Sequence, residues 1–248
     1  MNHAIVRLLA ALLCLAAAFA HAQAPAAAAK SIDLWLNERE TTVDVFTPAA
    51  PARDAVILAH GFTRTRITMT EHAERLAREG LLVVAPDLPY YWHSGDNAKA
   101  LRDLVAMMLA GKFAPPVSRV VLVGFSAGGL AALLAADSPG VAGYIGLDPF
   151  DRPSGIGRDA AKKLERPAYL IRAPGSRCNA FAIAEPWKTA FPKLVQDRVV
   201  PEATHCDFES PTDWVCRAAC GGSDDARRKT IADAIDGAVR GILGRSPP

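Results

Sequence analysis

The sequence predicts a doubly wound α/β fold, in which helices cover both faces of a mostly parallel sheet. Short runs of β-branched and apolar residues alternate along the chain with longer stretches of helical periodicity, an order typical of parallel sheets. Some runs, such as 55–59, are apolar throughout, which indicates strands that are buried on both faces. Neither a repeat nor a Pro/Gly-rich linker interrupts the chain, so we expect a single domain over residues 31–248.

Each element of this fold has its own signal. Alternating polarity over 41–46 predicts a half-buried first strand, and Gly80 ends a first helix over 68–79. Further strands are expected at 55–59, 81–85, 119–124, 141–147, 168–172 and 194–200, and further helices at 96–109, 126–136 and 224–243.

Length and composition limit the class of protein. Of the 248 residues, 50% are apolar and 22% are charged, which suffices for a buried core and rules out intrinsic disorder. A formal net charge of +2 gives no sign of the basic surface that nucleic-acid-binding proteins carry. Beyond residue 22, no apolar run reaches the roughly 18 residues of a membrane span. We expect a soluble globular protein, with a monomer as the default oligomeric state.

Residues 1–22 have the pattern of a secretory signal peptide. Arg7 carries the one positive charge before an apolar run over 8–20, and Ala20-His21-Ala22 supplies the small-x-small cleavage pattern. The Ala-rich segment 23–30 is expected to be a flexible leader. An exported protein, periplasmic or secreted, is therefore predicted.

Four cysteines follow this segment, namely Cys178, Cys206, Cys216 and Cys220. An even number of cysteines on an exported chain predicts two disulfide bonds, with three possible connectivities. A zinc site is the alternative, although the spacings do not form the paired Cys-x-x-Cys units of zinc-binding folds.

A nucleophilic serine is predicted at Gly124-Phe125-Ser126-Ala127-Gly128. The motif lies between a predicted strand and a predicted helix, which is the context of a nucleophile elbow. Side chains two residues before and after the serine would collide with the neighbouring strand and helix, and Gly129 extends this close approach. The N-terminus of the following helix also favours a developing negative charge.

A serine hydroxyl needs a histidine base that a carboxylate orients. His205 is the only histidine after Ser126, and it fits the chain order serine, acid, histidine. Asp148 stands at the carboxyl end of strand 141–147, where open α/β sheets place their sites, and is the expected acid. Asp151 is the alternative. In many hydrolases of this architecture the acid follows a later strand, here 168–172, but the loop after that strand has no carboxylate.

Two backbone N–H groups are expected to stabilise an oxyanion. One belongs to Ala127, just after the nucleophile, and the other to Phe62 in the loop after strand 55–59. Gly61 lets this loop turn inward, and His60 is expected to pack behind it as a structural residue. His72, on the first predicted helix, is expected on a solvated face.

Tyr90, Tyr91 and Trp92 form an aromatic cluster in the loop after strand 81–85. They are candidate substrate-binding residues, although a surface loop anchored on the core fits the sequence equally well. Trp187 and Trp214 have the same two interpretations.

Together these motifs resemble the serine esterases and lipases of the α/β-hydrolase superfamily, and the resemblance covers nearly the whole chain after residue 22. It implies the α/β-hydrolase fold, and the short connection after Asp148 predicts no large lid. Gly146-Leu147-Asp148-Pro149, with the acid 22 residues after Ser126, resembles chlorophyllases and platelet-activating-factor acetylhydrolases. Those enzymes take their acid from this earlier strand, although chlorophyllases carry arginine at the position of Ala127.

The sequence therefore predicts a hydrolase that cleaves small-molecule carboxylic esters through Ser126, Asp148, His205 and an acyl-enzyme, with no metal or organic cofactor. An amidase or peptidase uses the same machinery, because specificity depends on loop shape. A non-catalytic binding protein of this fold is a second alternative. A metal-dependent hydrolase with His205, Cys206 and Asp207 as ligands is a third.

Overall fold

The computed structural model describes residues 28–246, which form one sheet and its covering helices. The strands are β1 (Ala28–Leu36), β2 (Arg39–Thr47), β3 (Asp54–Ala59), β4 (Leu82–Pro86), β5 (Arg119–Phe125), β6 (Val141–Leu147), β7 (Ala168–Arg172) and β8 (Leu194–Val199). The α-helices are α1 (Thr70–Arg78), α2 (Ser94–Leu109), α3 (Ala127–Ala135), α4 (Ile156–Ala161), α5 (Trp214–Cys220) and α6 (Asp225–Leu243). Short 3₁₀ helices occur at Arg66–Met69, Glu185–Thr189 and His205–Phe208.

The sheet has the strand order β1-β2-β4-β3-β5-β6-β7-β8. β2 is antiparallel to both β1 and β4, and all other neighbours are parallel. The predicted mostly parallel α/β fold is confirmed. Because β3 and β5 to β8 run in the same direction, the loops that follow them meet at one edge of the sheet, where open α/β sheets bind ligands.

Apolar side chains cover the sheet on both faces. Ile57 of β3 packs in a cluster with residues of α2 and α3, whereas Val56 and Leu58 pack in a second cluster with residues of α1 and α6. Successive side chains of a strand point to opposite faces, so a strand covered on both sides must be apolar throughout. The residues of β3 are all buried, and all but the first, Asp54, are apolar.

The hairpin of β1 and β2 was not expected from the sequence. The predicted leader extends to Lys30, but β1 begins at Ala28, so the last three leader residues belong to the sheet. Asn37 and Glu38 form the two-residue turn with φ of 45° and 68°, as a type I′ turn requires. The turn has glutamate where glycine is the usual signal. The signal peptide predicted for 1–22 lies outside the described residues.

The helices α4 and α5 were also not predicted. α5 begins after Asp213, whose carboxylate accepts a hydrogen bond from the Cys216 N–H, and it ends at Gly221, which has φ of 92°. Within residues 28–246, the connection from Asp148 to β7 contains only the six-residue helix α4, in line with the expected short connection at this point. No helix in this part of the chain is both long and apolar enough to cross a bilayer.

Candidate active site

Ser126 occupies the sharp turn between β5 and α3. Its backbone has φ of 51° and ψ of −122°, a conformation that is costly for a residue with a side chain and that occurs at strained functional turns. The Ser126 N–H donates to Leu147 O at 3.0 Å, and the Phe150 N–H donates to Ser126 O at 3.0 Å. The strand–turn–helix context predicted for the motif is therefore present.

Close backbone packing explains the glycines around Ser126. A Cβ on Gly124 would lie 2.3 Å from Gly128 O, and a Cβ on Gly128 would lie 2.2 Å from His60 O. A Cβ on Gly129 would lie 2.9 Å from the Pro149 side chain. No side chain tolerates the first two approaches, so the crowding expected at the elbow is confirmed.

Side chains from three separate loops meet at this turn. His205 Nε2 lies 3.0 Å from Ser126 Oγ, and His205 Nδ1 lies 2.6 Å from Asp148 Oδ2. Ser126 and His205 are each 8% exposed and Asp148 is 2% exposed. An imidazole that donates from Nδ1 to a carboxylate presents its Nε2 lone pair to the hydroxyl. This arrangement can take the proton of a serine as its oxygen attacks a carbonyl.

The two candidate acids have different surroundings. Asp148 directly follows β6 and contacts His205, as given above. The Asp151 carboxylate instead accepts hydrogen bonds from Trp187 Nε1 at 2.7 Å and from the Gly157 N–H at 2.9 Å. Asp151 therefore stabilises the N-terminus of α4, and in the described part of the chain it makes no hydrogen bond to His205. Trp187 is a fully buried core residue.

Gly61 brings the loop after β3 against the elbow. A Cβ on Gly61 would lie 2.9 Å from the Phe125 ring and 3.2 Å from Ser126 Cβ. The Phe62 N–H donates to no acceptor among residues 28–246. The Ala127 N–H is one of the unpaired donors at the start of a helix. Both N–H groups are thus free beside Ser126.

His60 holds this loop from behind. Its Nδ1 lies 2.7 Å from Gly61 O, and its Nε2 lies 2.9 Å from Leu88 N. Since the carbonyl accepts and the amide donates, the ring proton sits on Nδ1. Burial lowers the pKa of His60, which keeps the ring neutral in this tautomer. These contacts agree with the structural role expected for His60.

His72 does not lie on a solvated face, so that expectation was wrong. Its side chain is buried, and its Nε2 lies 3.2 Å from Phe208 O. Burial lowers the pKa of His72 to about 3. Helical periodicity could not reveal this environment, because it depends on α1 packing against the segment that follows His205.

The four cysteines form two disulfides that meet at α5. Cys178 pairs with Cys220, and Cys206 pairs with Cys216. This pairing selects one of the three possible connectivities. It also contradicts the zinc alternative, because a disulfide sulfur is not the thiolate that binds zinc.

Asp207 supports the turn that carries His205. Its carboxylate accepts hydrogen bonds from Arg227 Nε at 2.7 Å and from the Thr204 N–H at 2.8 Å. With Cys206 in a disulfide and His205 between a hydroxyl and a carboxylate, these three neighbours do not converge as ligands. The metal-dependent alternative was therefore wrong.

A cleft of about 360 Å³ opens beside Ser126. The Phe62 ring centroid lies 4.7 Å from that of Tyr91 and 4.2 Å from that of Trp92. These three rings form one wall of the cleft, and among the described residues that line it Arg152 is the one with a charged side chain. The cleft therefore suits an apolar group next to the serine.

Tyr90 anchors the aromatic loop. Its hydroxyl donates to Asn37 O, its N–H donates to Asn97 Oδ1, and the Arg39 guanidinium lies over its ring at 4.5 Å from the centroid. Tyr90 borders a smaller neighbouring cavity of about 290 Å³. Trp214 is exposed at the start of α5. Within the aromatic cluster, Tyr91 and Trp92 line the cleft beside Ser126, whereas Tyr90 does not.

Asn179 is the site residue that sequence reasoning missed. It lies in the loop after β7, and its Nδ2 approaches both carboxylate oxygens of Asp148, at 3.3 Å and 3.2 Å. The loop after β7 has no carboxylate to attract attention in the sequence, and an asparagine in a loop carries no signal of such a contact.

Comparisons of this sequence with known sequences agree with the observed fold. The model of a family described as "Alpha/beta hydrolase family" matches residues 56–196. A monoacylglycerol lipase from Mycolicibacterium smegmatis is 32% identical over 105 residues, which are 39% of this chain and 38% of that protein. The match thus spans well under half the length of this relative.

Comparisons with solved structures agree. A dienelactone hydrolase from Anabaena variabilis has a TM-score of 0.67 at 17% identity, covering 85% of this chain and 96% of that one. Est1E from Butyrivibrio proteoclasticus has a TM-score of 0.66 at 14% identity, covering 87% of this chain and 99% of that one. At these identities the likeness concerns the fold.

Proposed function

Because the chain belongs to the alpha/beta hydrolase family, we propose that it is a serine hydrolase that cleaves carboxylic esters. The observation that carries this proposal is the row formed by Ser126, His205 and Asp148, with contacts of 3.0 Å and 2.6 Å. A serine, a histidine base and an orienting carboxylate in this geometry perform acyl transfer on several unrelated folds.

The proposed reaction proceeds through an acyl-enzyme. Ser126 Oγ attacks the ester carbonyl while His205 Nε2 takes its proton, and Asp148 stabilises the imidazolium that forms. The Phe62 and Ala127 N–H groups hold the negative oxygen of the tetrahedral intermediate. His205 then gives the proton to the leaving alcohol, and water releases the acid by the same route. These reaction steps require no metal or organic cofactor.

The cleft indicates the class of ester. Its wall of Phe62, Tyr91 and Trp92 supports binding of an apolar acyl or aryl group of modest size. The similarity to a monoacylglycerol lipase over part of the chain supports an ester bond as the target. We therefore propose a small apolar ester as the substrate, with no nucleic acid or membrane span involved.

Two finer proposals concern the branch of the family to which the chain is related and the compartment in which the protein works. Because Asp148 directly follows β6, we propose that the chain is related to the chlorophyllase and platelet-activating-factor acetylhydrolase branch of the family. Two disulfides support an oxidising compartment. Together with the signal-peptide pattern of 1–22 and the leader that follows it, they support export to the periplasm or medium.

Labelling with a fluorophosphonate probe tests the proposed nucleophile. Ser126→Ala is compared with Ser94→Ala, since Ser94 is another serine that lines the cleft. We expect the probe to label wild type and Ser94→Ala and to leave Ser126→Ala unlabelled. Hydrolysis of p-nitrophenyl butyrate should fall about 10⁴-fold or more in Ser126→Ala.

Two other outcomes would redirect the proposal. An oxidised, folded wild-type protein that takes no label would favour the non-catalytic binding protein. Faster cleavage of a p-nitroanilide than of the matched ester would favour an amidase or peptidase.

A further inference from the structure

We propose that Asn179 is a positioning residue that fixes the Asp148 carboxylate in the orientation that His205 requires. The inference deepens the proposed function and takes its catalytic meaning from it. Asn179 is 1% exposed, so each of its polar atoms needs a partner within the protein.

The partners of Asn179 decide which end of its amide faces Asp148. Oδ1 accepts hydrogen bonds from the Ser176 N–H at 2.8 Å and the Ala182 N–H at 2.9 Å, and Nδ2 donates to Pro174 O at 2.9 Å. A reversed amide would point donors at donors and an acceptor at a carbonyl, losing all three bonds. The nitrogen therefore faces Asp148.

The second Nδ2 proton bridges the two oxygens of Asp148. Nδ2 lies 3.3 Å from Oδ1 and 3.2 Å from Oδ2. Oδ1 also accepts the Ala173 N–H at 3.1 Å, and Oδ2 accepts from His205 Nδ1 at 2.6 Å. Two donors from the loop after β7 thus hold the carboxylate plane, so that Oδ2 points at the imidazole.

The loop that carries Asn179 is itself held in place. Cys178, its neighbour, is bonded to Cys220 of α5. The second disulfide bonds α5 to the turn that carries His205. One short helix therefore ties down both the residue that orients the acid and the base that the acid orients.

Two substitutions of Asn179 test the positioning role. Asn179→Asp keeps the shape and the acceptor for the loop N–H groups but replaces the donor, and Asn179→Ala removes the amide. Arg177→Gln, at an exposed residue of the same loop, is the matched control. With p-nitrophenyl butyrate we expect kcat to fall about 10- to 100-fold in both Asn179 variants, with KM within about twofold of wild type and the control unchanged.

Proton NMR supplies a readout that needs no substrate. The His205 Nδ1 proton, held between nitrogen and the Asp148 oxygen, is expected far downfield, and its loss in His205→Gln identifies it. We expect both Asn179 variants to shift or broaden it and Arg177→Gln to preserve it.

The two readouts separate the two proposals. If wild type hydrolyses no ester while the resonance still depends on Asn179, the proposed function fails and the positioning role stands. Folded Asn179→Asp and Asn179→Ala that keep both the resonance and the wild-type kcat would overturn the positioning role while leaving the proposed function intact.

Discussion

The buried histidines of the described chain differ in what their ring nitrogens touch. Both nitrogens of His60 are bound to backbone groups, and His72 faces the carbonyl of Phe208. His205 alone lies between a hydroxyl and a carboxylate. A ring with a carboxylate on one nitrogen can accept a proton on the other and keep a counter-charge beside it. Burial alone therefore does not make a histidine a base.

His72 makes folding stability depend on pH. Its pKa is about 3 when folded, against an ordinary value of 6.5. Below the ordinary value the unfolded chain binds a proton at His72 that the folded protein excludes, so the free energy of unfolding falls as the pH drops toward the folded pKa. Near pH 5 this loss is about 2 kcal/mol compared with neutral pH and above.

Urea unfolding of wild type and His72→Gln at the two pH values measures this loss. Glutamine can keep a donor for Phe208 O but does not titrate. We expect the drop on acidification to be smaller in the variant by the amount given above. An equal drop in both proteins would contradict the assignment.

At the scale of elements, the short helix α5 is cross-linked to two of the loops that form the site. Cys216 and Cys220 are four residues apart, so they project from the same face of the helix. Their sulfurs and that of Cys206 lie within 4.8 Å of one another. Two cross-links from one face of α5 hold it against two separate loops, which explains how a seven-residue helix can brace the site.

The two disulfides should contribute unequally to stability. The Cys178–Cys220 bond spans 42 residues and the Cys206–Cys216 bond spans 10. A longer closed loop removes more conformational entropy from the unfolded chain, which predicts about 4 kcal/mol for the first and about 3 kcal/mol for the second. Urea unfolding of the two double Cys→Ser variants tests this order. A larger loss from the shorter loop would contradict the entropic account.

At the scale of the whole molecule, the parallel sheet explains why much of the site could be predicted. Ser126, Asp148 and the loop of Phe62 each directly follow an apolar strand, and parallel strands bring such positions to one edge. Asn179 could not be found in this way, because its role depends on a contact with a residue 31 positions earlier. The turn of the first hairpin lacks glycine, so β1 gave no hairpin signal.

One ion pair joins the two halves of the site across the molecule. Arg64 Nε lies 2.6 Å from Glu209 Oε1, and Arg64 Nη2 lies 3.0 Å from Glu209 Oε2. The Glu209 side chain is fully buried. Arg64 belongs to the loop of Phe62, and Glu209 follows the turn of His205. The pair therefore sets the spacing between the proposed oxyanion donors and the proposed base.

Removing the Arg64–Glu209 pair one residue at a time should separate its effect on the free energy of unfolding from its effect on the positions of the site loops. Glu209→Leu removes the buried partner of the Arg64 guanidinium and should lower the free energy of unfolding by about 2 kcal/mol. This is less than for an uncompensated buried charge, because Asp213 stays 2.7 Å from Arg64 Nη2. Adding Arg64→Met removes the guanidinium, which in Glu209→Leu keeps only its contact with Asp213 at 2.7 Å, and should recover most of that loss, because burying an ion pair gains little over apolar packing. Urea unfolding measures both steps.

Ester hydrolysis by the same variants shows whether the Arg64–Glu209 pair positions the site loops or only stabilises the fold. An apolar pair restores packing but has no fork of directed hydrogen bonds to fix the Phe62 loop against the His205 turn. We therefore expect the double variant to regain stability while its kcat stays about 10-fold or more below wild type, since small misplacements of reacting groups are costly. A double variant that regains both stability and kcat would mean that the pair serves stability alone.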